Sequence, residues 1–232
     1  MSSASPGIVV AVDGTSGSGK SSTSRGVADR LGLRYLDTGA MYRAMTWWML
    51  HHGVDVHDPA AVAARCAEPL IETGTDPLAP TITVDGEDVA RAIREADVNA
   101  AVSPVSAVAD VRARLVAMQR TAIEDARRGA GIVVEGRDIG SVVWPEAPVK
   151  VYLSADVTAR ASRRAAEEGG SDVGSTEESL LARDRIDSGR AVAPLVMVEG
   201  AVHIDTTAYS LDEVIAQVVA LVEQLDAVGS DA

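Results

Sequence analysis

Five short runs of apolar, largely β-branched residues recur along the chain, each stopping at glycine or polar residues: "IVVAV" (8–12), "LRYLD" (33–37), "GIVVEGRD" (131–138), "VKVYLSA" (149–155) and "VHIDTT" (202–207). Runs of this length bounded by such residues predict buried strands. Between the first two, "KSSTSRGVADRLG" has helical spacing with Gly32 as its stop, and "AMYRAMTWWMLHHG" predicts a second helix, with a wide apolar face, ending near Gly53. Trp47 and Trp48 lie mid-helix among large apolar side chains and are expected in the core. Strands alternating with helices predict an α/β fold: a five-stranded parallel sheet with helices on both faces. Ligands of such sheets gather at the carboxyl ends of strands, which is where Gly14, Asp37, Glu135 and Asp205 fall.

Two stretches break the pattern. Between Asp55 and Ser103 four prolines (59, 69, 77 and 80) intervene, and "PTITVDGEDVA" carries the Asp-Gly turn of a hairpin between alternating flanks. A small inserted lobe is expected there. Later, "AAEEGGSDVGSTEESL" is polar and glycine-rich between two arginine-bearing helices, the composition of a mobile flap.

Composition narrows the possibilities. The chain has 232 residues, enough for one domain with smaller lobes, and no apolar run approaches the roughly 20 residues of a membrane span. "MSSASPG" lacks the basic and apolar regions of a signal peptide, and the single Cys66 permits no internal disulfide, so a cytoplasmic protein is expected. A formal net charge of −13 argues against nucleic-acid or anionic-membrane partners. Any phosphate has to be captured locally, and Arg160, Arg163, Arg164, Arg183, Arg185 and Arg190 crowd one late region. The four histidines have no zinc-site spacing, and no coiled coil or apolar patch argues against a monomer.

Gly14-Thr15-Ser16-Gly17-Ser18-Gly19-Lys20-Ser21 matches G-x-x-x-x-G-K-[ST] in full, after a predicted strand and before a predicted helix, with Ser22 following. This is a P-loop of the NTPase type. Its glycines let successive N–H groups curl around a nucleoside triphosphate, Lys20 faces the β- and γ-phosphates, and the Ser21 hydroxyl is placed to bind Mg²⁺. The cradle alone suits a GTPase switch, a motor ATPase or a small-molecule kinase. A guanine-reading N-K-x-D stretch is absent, and so is an apolar strand ending in paired D-E.

"LDTGAMYR" (36–43), "VVEGRDIG" (133–140), "PEAPVKVYLSA" (145–155) and "RIDSGRAVAPL" (185–195) follow the cradle in that order, and with it they resemble the bacterial cytidylate kinases from Ile8 to about Leu225. The resemblance implies transfer of the γ-phosphoryl of ATP, with Mg²⁺, to CMP or dCMP in pyrimidine nucleotide metabolism. It also implies a core (7–37, 104–158 and 189–226), a monophosphate-binding lobe with an insert (38–103) and a lid (159–188). The family's acceptor contacts fall on Ser103, Arg112 and Asp138 at the cytosine edge, and on Arg43 and Arg137 at the acceptor phosphate. Thr38, Tyr42 and Glu135 fall in the same pocket, and Arg183 and Asp187 at the sugar hydroxyls. Some relatives have serine and aspartate where this chain has Thr38 and Glu135; both changes keep the polar group and alter its reach. Arg160, Arg164 and Arg190 are expected to swing in with the lid and, with Lys20 and Arg137, to stabilise the transferring group. Other small-acceptor kinases of the UMP/CMP or shikimate type, and a non-kinase nucleotide switch, are the alternatives.

Overall fold

A computed structural model describes residues 6–167, 172–189 and 194–230, with the side chains of 167, 183, 187 and 226–230 outside the description. Five parallel strands form the central sheet: β1 (Ile8–Gly14), β2 (Arg34–Asp37), β6 (Gly131–Glu135), β7 (Val149–Ser154) and β8 (Val202–Asp205), in the order β2-β6-β1-β7-β8. All five were expected from the apolar runs. The central strands β1 and β6 are buried on both faces, which is why they read as unbroken apolar segments rather than alternating ones.

Successive side chains of β1 feed two separate cores. Val9 and Ala11 face α2 (Thr38–His51), α4 (Ala96–Ala107) and α5 (Ala109–Ala126), whereas Val10 and Val12 face α1 (Lys20–Leu31) and α8 (Leu211–Ser230). Helices therefore cover both faces. Trp47 and Trp48 are buried in the first of these cores. The second helix begins two residues earlier than its apolar spacing predicts, at Thr38. The reason is that the last residue of β2 caps it: Asp37 Oδ1 accepts the Ala40 amide at 2.9 Å.

Inserted after α2 are the short α3 (Pro59–Arg65) and a small antiparallel sheet of β3 (Ile71–Thr73), β4 (Ile82–Val84) and β5 (Glu87–Asp88). The expected hairpin turns at Asp85 (φ 53°) and Gly86 (φ 84°), the paired positive dihedrals of a type I′ turn. Asp85 also fastens this sheet to α2, accepting Trp48 Nε1–H at 2.9 Å through one oxygen and the Leu70 amide at 2.7 Å through the other. A 3₁₀ turn (Ala92–Arg94) leads back to α4. Two further helices, α6 (Val157–Glu167) and α7 (Val173–Gly189), stand between β7 and β8 and pack on each other. None of the helices described is long and apolar enough to cross a membrane.

Candidate active site

The phosphate loop is shaped by its contact with β7. Gly14 has φ 147°, and a Cβ there would lie 2.0 Å from the Leu153 carbonyl oxygen, so no other residue fits. Thr15 N–H donates to that carbonyl at 3.2 Å. Gly19, at φ 86°, occupies the N-cap of α1 and turns the chain so that Lys20 and Ser21 open the helix. Lys20 is buried, and its ammonium donates to the carbonyls of Gly14, at 2.9 Å, and Thr15. Burial pushes its pKa well below the usual lysine value; Arg137 adds to this, while Glu135, Asp13 and Asp184 oppose it. An anionic phosphate would favour the charged ammonium. Ser21 and Ser22 lie exposed in the first helical turn.

From Ser16, Gly17, Lys20 and Ser21 one cleft runs on to the starts of α2 and α5, the middle of α4 and the turn after β6. At its far end Arg112 and Asp138, both buried, form a short ion pair. The Arg112 guanidinium also lies 5.6 Å from the Tyr42 ring centroid, and Ser103 lines the same end. In the middle four arginines converge: Arg43, Arg94, Arg137 and Arg164. Burial lowers the Arg43 guanidinium to about 10, with Arg164, Arg94 and Arg137 pushing the same way and Asp37 opposing. The Arg43 Nε–H is buried without a partner among the described residues. In a protein of net charge −13, such a cluster makes a local anion site.

Between the two ends lies Glu135, the last residue of β6. Its Oε1 accepts the Tyr35 hydroxyl at 2.6 Å, Oε2 has no hydrogen-bond partner among the described residues, and the Thr38 hydroxyl donates to its backbone carbonyl at 2.7 Å. Burial raises its carboxyl to about 7, with the Asp37 charge adding to the effect and Tyr35, Lys20 and Ser21 opposing it.

Thr38, Tyr42, Arg43, Ser103, Arg112, Glu135, Arg137, Asp138 and Arg164 are thus brought to one cleft with Lys20 and Ser21. Arg160 is not in its lining. It is buried at the base of α6, donating to the carbonyls of Ser16, at 2.9 Å, and Ala155, at 3.0 Å, and to Asp184 Oδ2 at 2.6 Å. Asp184 Oδ1 in turn accepts the Ser16 amide at 3.3 Å. One turn along α6, Arg163 holds the loop after β8 through the Thr206 hydroxyl (2.9 Å) and carbonyl (2.7 Å), and that hydroxyl donates to Ser18 O at 3.0 Å. The side chains of Arg183 and Asp187, on α7, and the whole of Arg190 lie outside the described residues.

Sequence reasoning missed Arg94, Asp13 and Asp184. Arg94 comes from the inserted lobe, far from any motif, and reaches the cleft 3.8 Å from Asp37 Oδ2. Asp13 was within reach of sequence, because a carboxylate directly before a phosphate loop and inside an apolar strand is an anomaly.

The profile of the family described as "Cytidylate kinase" matches residues 10–224. The cytidylate kinases of Streptomyces avermitilis and Streptomyces griseus are 54% and 56% identical over 219 and 216 residues, covering 94% and 93% of this chain and the same shares of theirs. That of Mycobacterium leprae is 46% identical over 221 residues, 94% of this chain and 96% of the relative. Among solved structures, an uncharacterized protein from Eubacterium ventriosum aligns over 94% of this chain and 98% of its own. Its TM-score of 0.51 at 10% identity is a likeness of fold alone.

Proposed function

The chain belongs to the cytidylate kinase family, and from that premise we propose that it transfers the γ-phosphoryl group of ATP to CMP or dCMP, giving ADP and CDP or dCDP. One observation carries the reading. A single cleft has the phosphate loop at one end, a buried Arg–Asp pair at the other, and four arginines between them. A switch or a simple ATPase has no use for the second half.

Cytosine presents an amino donor beside a ring nitrogen and a carbonyl acceptor. Asp138 can accept from the first, while Arg112 and Ser103 donate to the others. Arg43 and Arg137 hold the acceptor phosphate through charge-assisted bonds, joined by Arg94 from the lobe. Thr38 and Tyr42 line the same pocket, and Arg183 and Asp187 are assigned to the sugar hydroxyls. Lys20 and the loop amides hold the donor phosphates, and the loop after β8, pinned by Arg163, is assigned to the adenine.

Transfer then needs positioning and positive charge more than covalent chemistry. An acceptor phosphate with its second pKa at about 6 is largely deprotonated near neutrality, so no strong base is required. Arg164 already lines the cleft, and Arg160 and Arg190 are assigned with it to the moving phosphoryl group; Arg160 would exchange the Asp184 carboxylate for a phosphate oxygen. Magnesium suits the donor set: the Ser21 hydroxyl, the unpartnered oxygen of Glu135 and the Asp37 carboxylate are hard oxygen ligands on one wall of the cleft. Bound there with ATP, the ion would supply charge neutralisation at the phosphate oxygens.

The working division is a core (7–37, 104–158 and 189–226), a monophosphate-binding lobe (38–103) and a lid (159–188) that closes to exclude water. We place the enzyme in the cytoplasm as a monomer. Incubation with γ-labelled ATP, Mg²⁺ and CMP should put the label into CDP; label released only as inorganic phosphate would sink the proposal.

A further inference from the structure

Donor and acceptor halves of the cleft come from neighbouring strands. β1 runs into the phosphate loop and β6 into the turn that carries Arg137 and Asp138, with Val12 paired to Glu135. The ladder ends one residue later, where Gly136 N–H donates to Val12 O at 3.0 Å. Beyond that point the sheet no longer fixes the second chain. What does is the side chain of the next residue of β1. Asp13 Oδ1 accepts the Ile139 amide and Oδ2 the Gly140 amide, each at 2.8 Å.

This clasp is shielded from solvent, Asp13 being only 6% exposed. A carboxylate accepting two successive amides through its two oxygens fixes the direction of the turn as well as its distance, and charged hydrogen bonds of this kind are about twice as strong as neutral ones. Asp13 does not itself line the cleft, whereas Arg137 and Asp138, immediately before the clasped amides, both do.

We infer that Asp13 is a positioning residue: from the strand that carries the phosphate loop it sets the turn bearing Arg137 and Asp138, and so fixes where the acceptor sits relative to the donor. The inference rests on reading that end of the cleft as the CMP site. Asp13→Asn keeps the shape but has one accepting oxygen and turns an NH₂ toward an amide N–H; Asp13→Ser removes the clasp altogether.

The test is calorimetric binding of CMP, and separately of a non-hydrolysable ATP analogue with Mg²⁺, to the wild type and to both variants. The dissociation constant for CMP should rise by about tenfold or more, the loss of roughly one charge-assisted hydrogen bond. Binding of the ATP analogue should change by less than about threefold, a ratio corresponding to under 1 kcal/mol. Equal weakening of both ligands, no weakening of either, or failure of both variants to fold would make Asp13 a residue of the fold and overturn the inference. A wild type that bound the ATP analogue but no CMP would overturn the acceptor reading itself, and the inference with it.

Discussion

Arg112 and Asp138 offer the sharpest separation of folding from recognition. Their side chains are 4% and 6% exposed, so neither charge is screened by water. Replacing Arg112 by Met leaves the Asp138 carboxylate buried beside an apolar side chain, and breaking such a pair from one side costs about 3–5 kcal/mol. For a chain of this size each kcal/mol lowers the thermal midpoint by about 2–4 °C, so Arg112→Met should melt roughly 10 °C below the wild type. Adding Asp138→Val removes the stranded charge. Because an apolar replacement of a buried pair is often neutral or stabilising by about 1–4 kcal/mol, the double variant should regain most of the midpoint. Its activity should not follow. If the pair exists to read cytosine, Arg112→Met loses one hydrogen bond to the base and the double variant two, so kcat/KM for CMP falls about tenfold or more in the first and about 100-fold or more in the second, with KM for ATP nearly unchanged. Thermal melts alongside steady-state kinetics at saturating ATP decide the matter. Recovery of CMP turnover in the double variant, or a wild-type KM for CMP in Arg112→Met, would refute the assignment.

Two further outcomes follow from the donor side. Lys20→Ala should abolish phosphoryl transfer with the circular-dichroism spectrum intact, and appreciable turnover by the variant would remove Lys20 from the mechanism. Glu135 is raised to about 7 from an ordinary 4.5, so the folded state holds a proton that the unfolded state has released, and stability falls as pH rises through that window and levels off above it. Between pH 6 and 8 this amounts to roughly 1–2 kcal/mol, or a few °C in midpoint, with Asp13, raised to about 6 by burial, adding the same sign toward lower pH. Lys20, held below its ordinary value by burial, contributes with the opposite sign, so the Glu135 effect is read as a difference: melts of the ligand-free protein at the two pH values should lose more, or gain less, stability toward pH 8 in the wild type than in Glu135→Gln, and equal slopes would contradict the placement of that proton.

The centre of the sheet was legible from its burial, and the edge strand β8, with only Ile204 of its four residues buried, from a β-branched run ending in polar residues. Burial on both faces writes β1 and β6 as continuous apolar runs, and the phosphate loop announces itself by spacing. The acceptor residues were legible only through resemblance, since nothing in the local pattern around Arg112 or Ser103 says that α5 and α4 bring them to one cleft. What stayed hidden is held by contacts across long stretches of chain. Asp13 meets Ile139 over a separation of 126 positions, and Asp184 reaches the Ser16 amide over 168. Composition marked the arginines of α6 as a cluster but could not sort them: Arg164 faces the cleft, Arg163 holds the Thr206 loop, and Arg160 braces Ser16. That sorting follows from helical phase relative to the phosphate loop, which exists only once β7 and β8 are side by side.

The central claim is that the two ends of the cleft act together on two nucleotides. The most direct test is the rate of ADP release from Mg·ATP measured without an acceptor and then with CMP, dCMP, UMP, AMP or shikimate. ADP release should be very slow alone, rise by orders of magnitude with CMP and dCMP, and respond little to the others. An ATPase rate that is the same with and without CMP, or a strong response to AMP or shikimate in place of CMP, would contradict it.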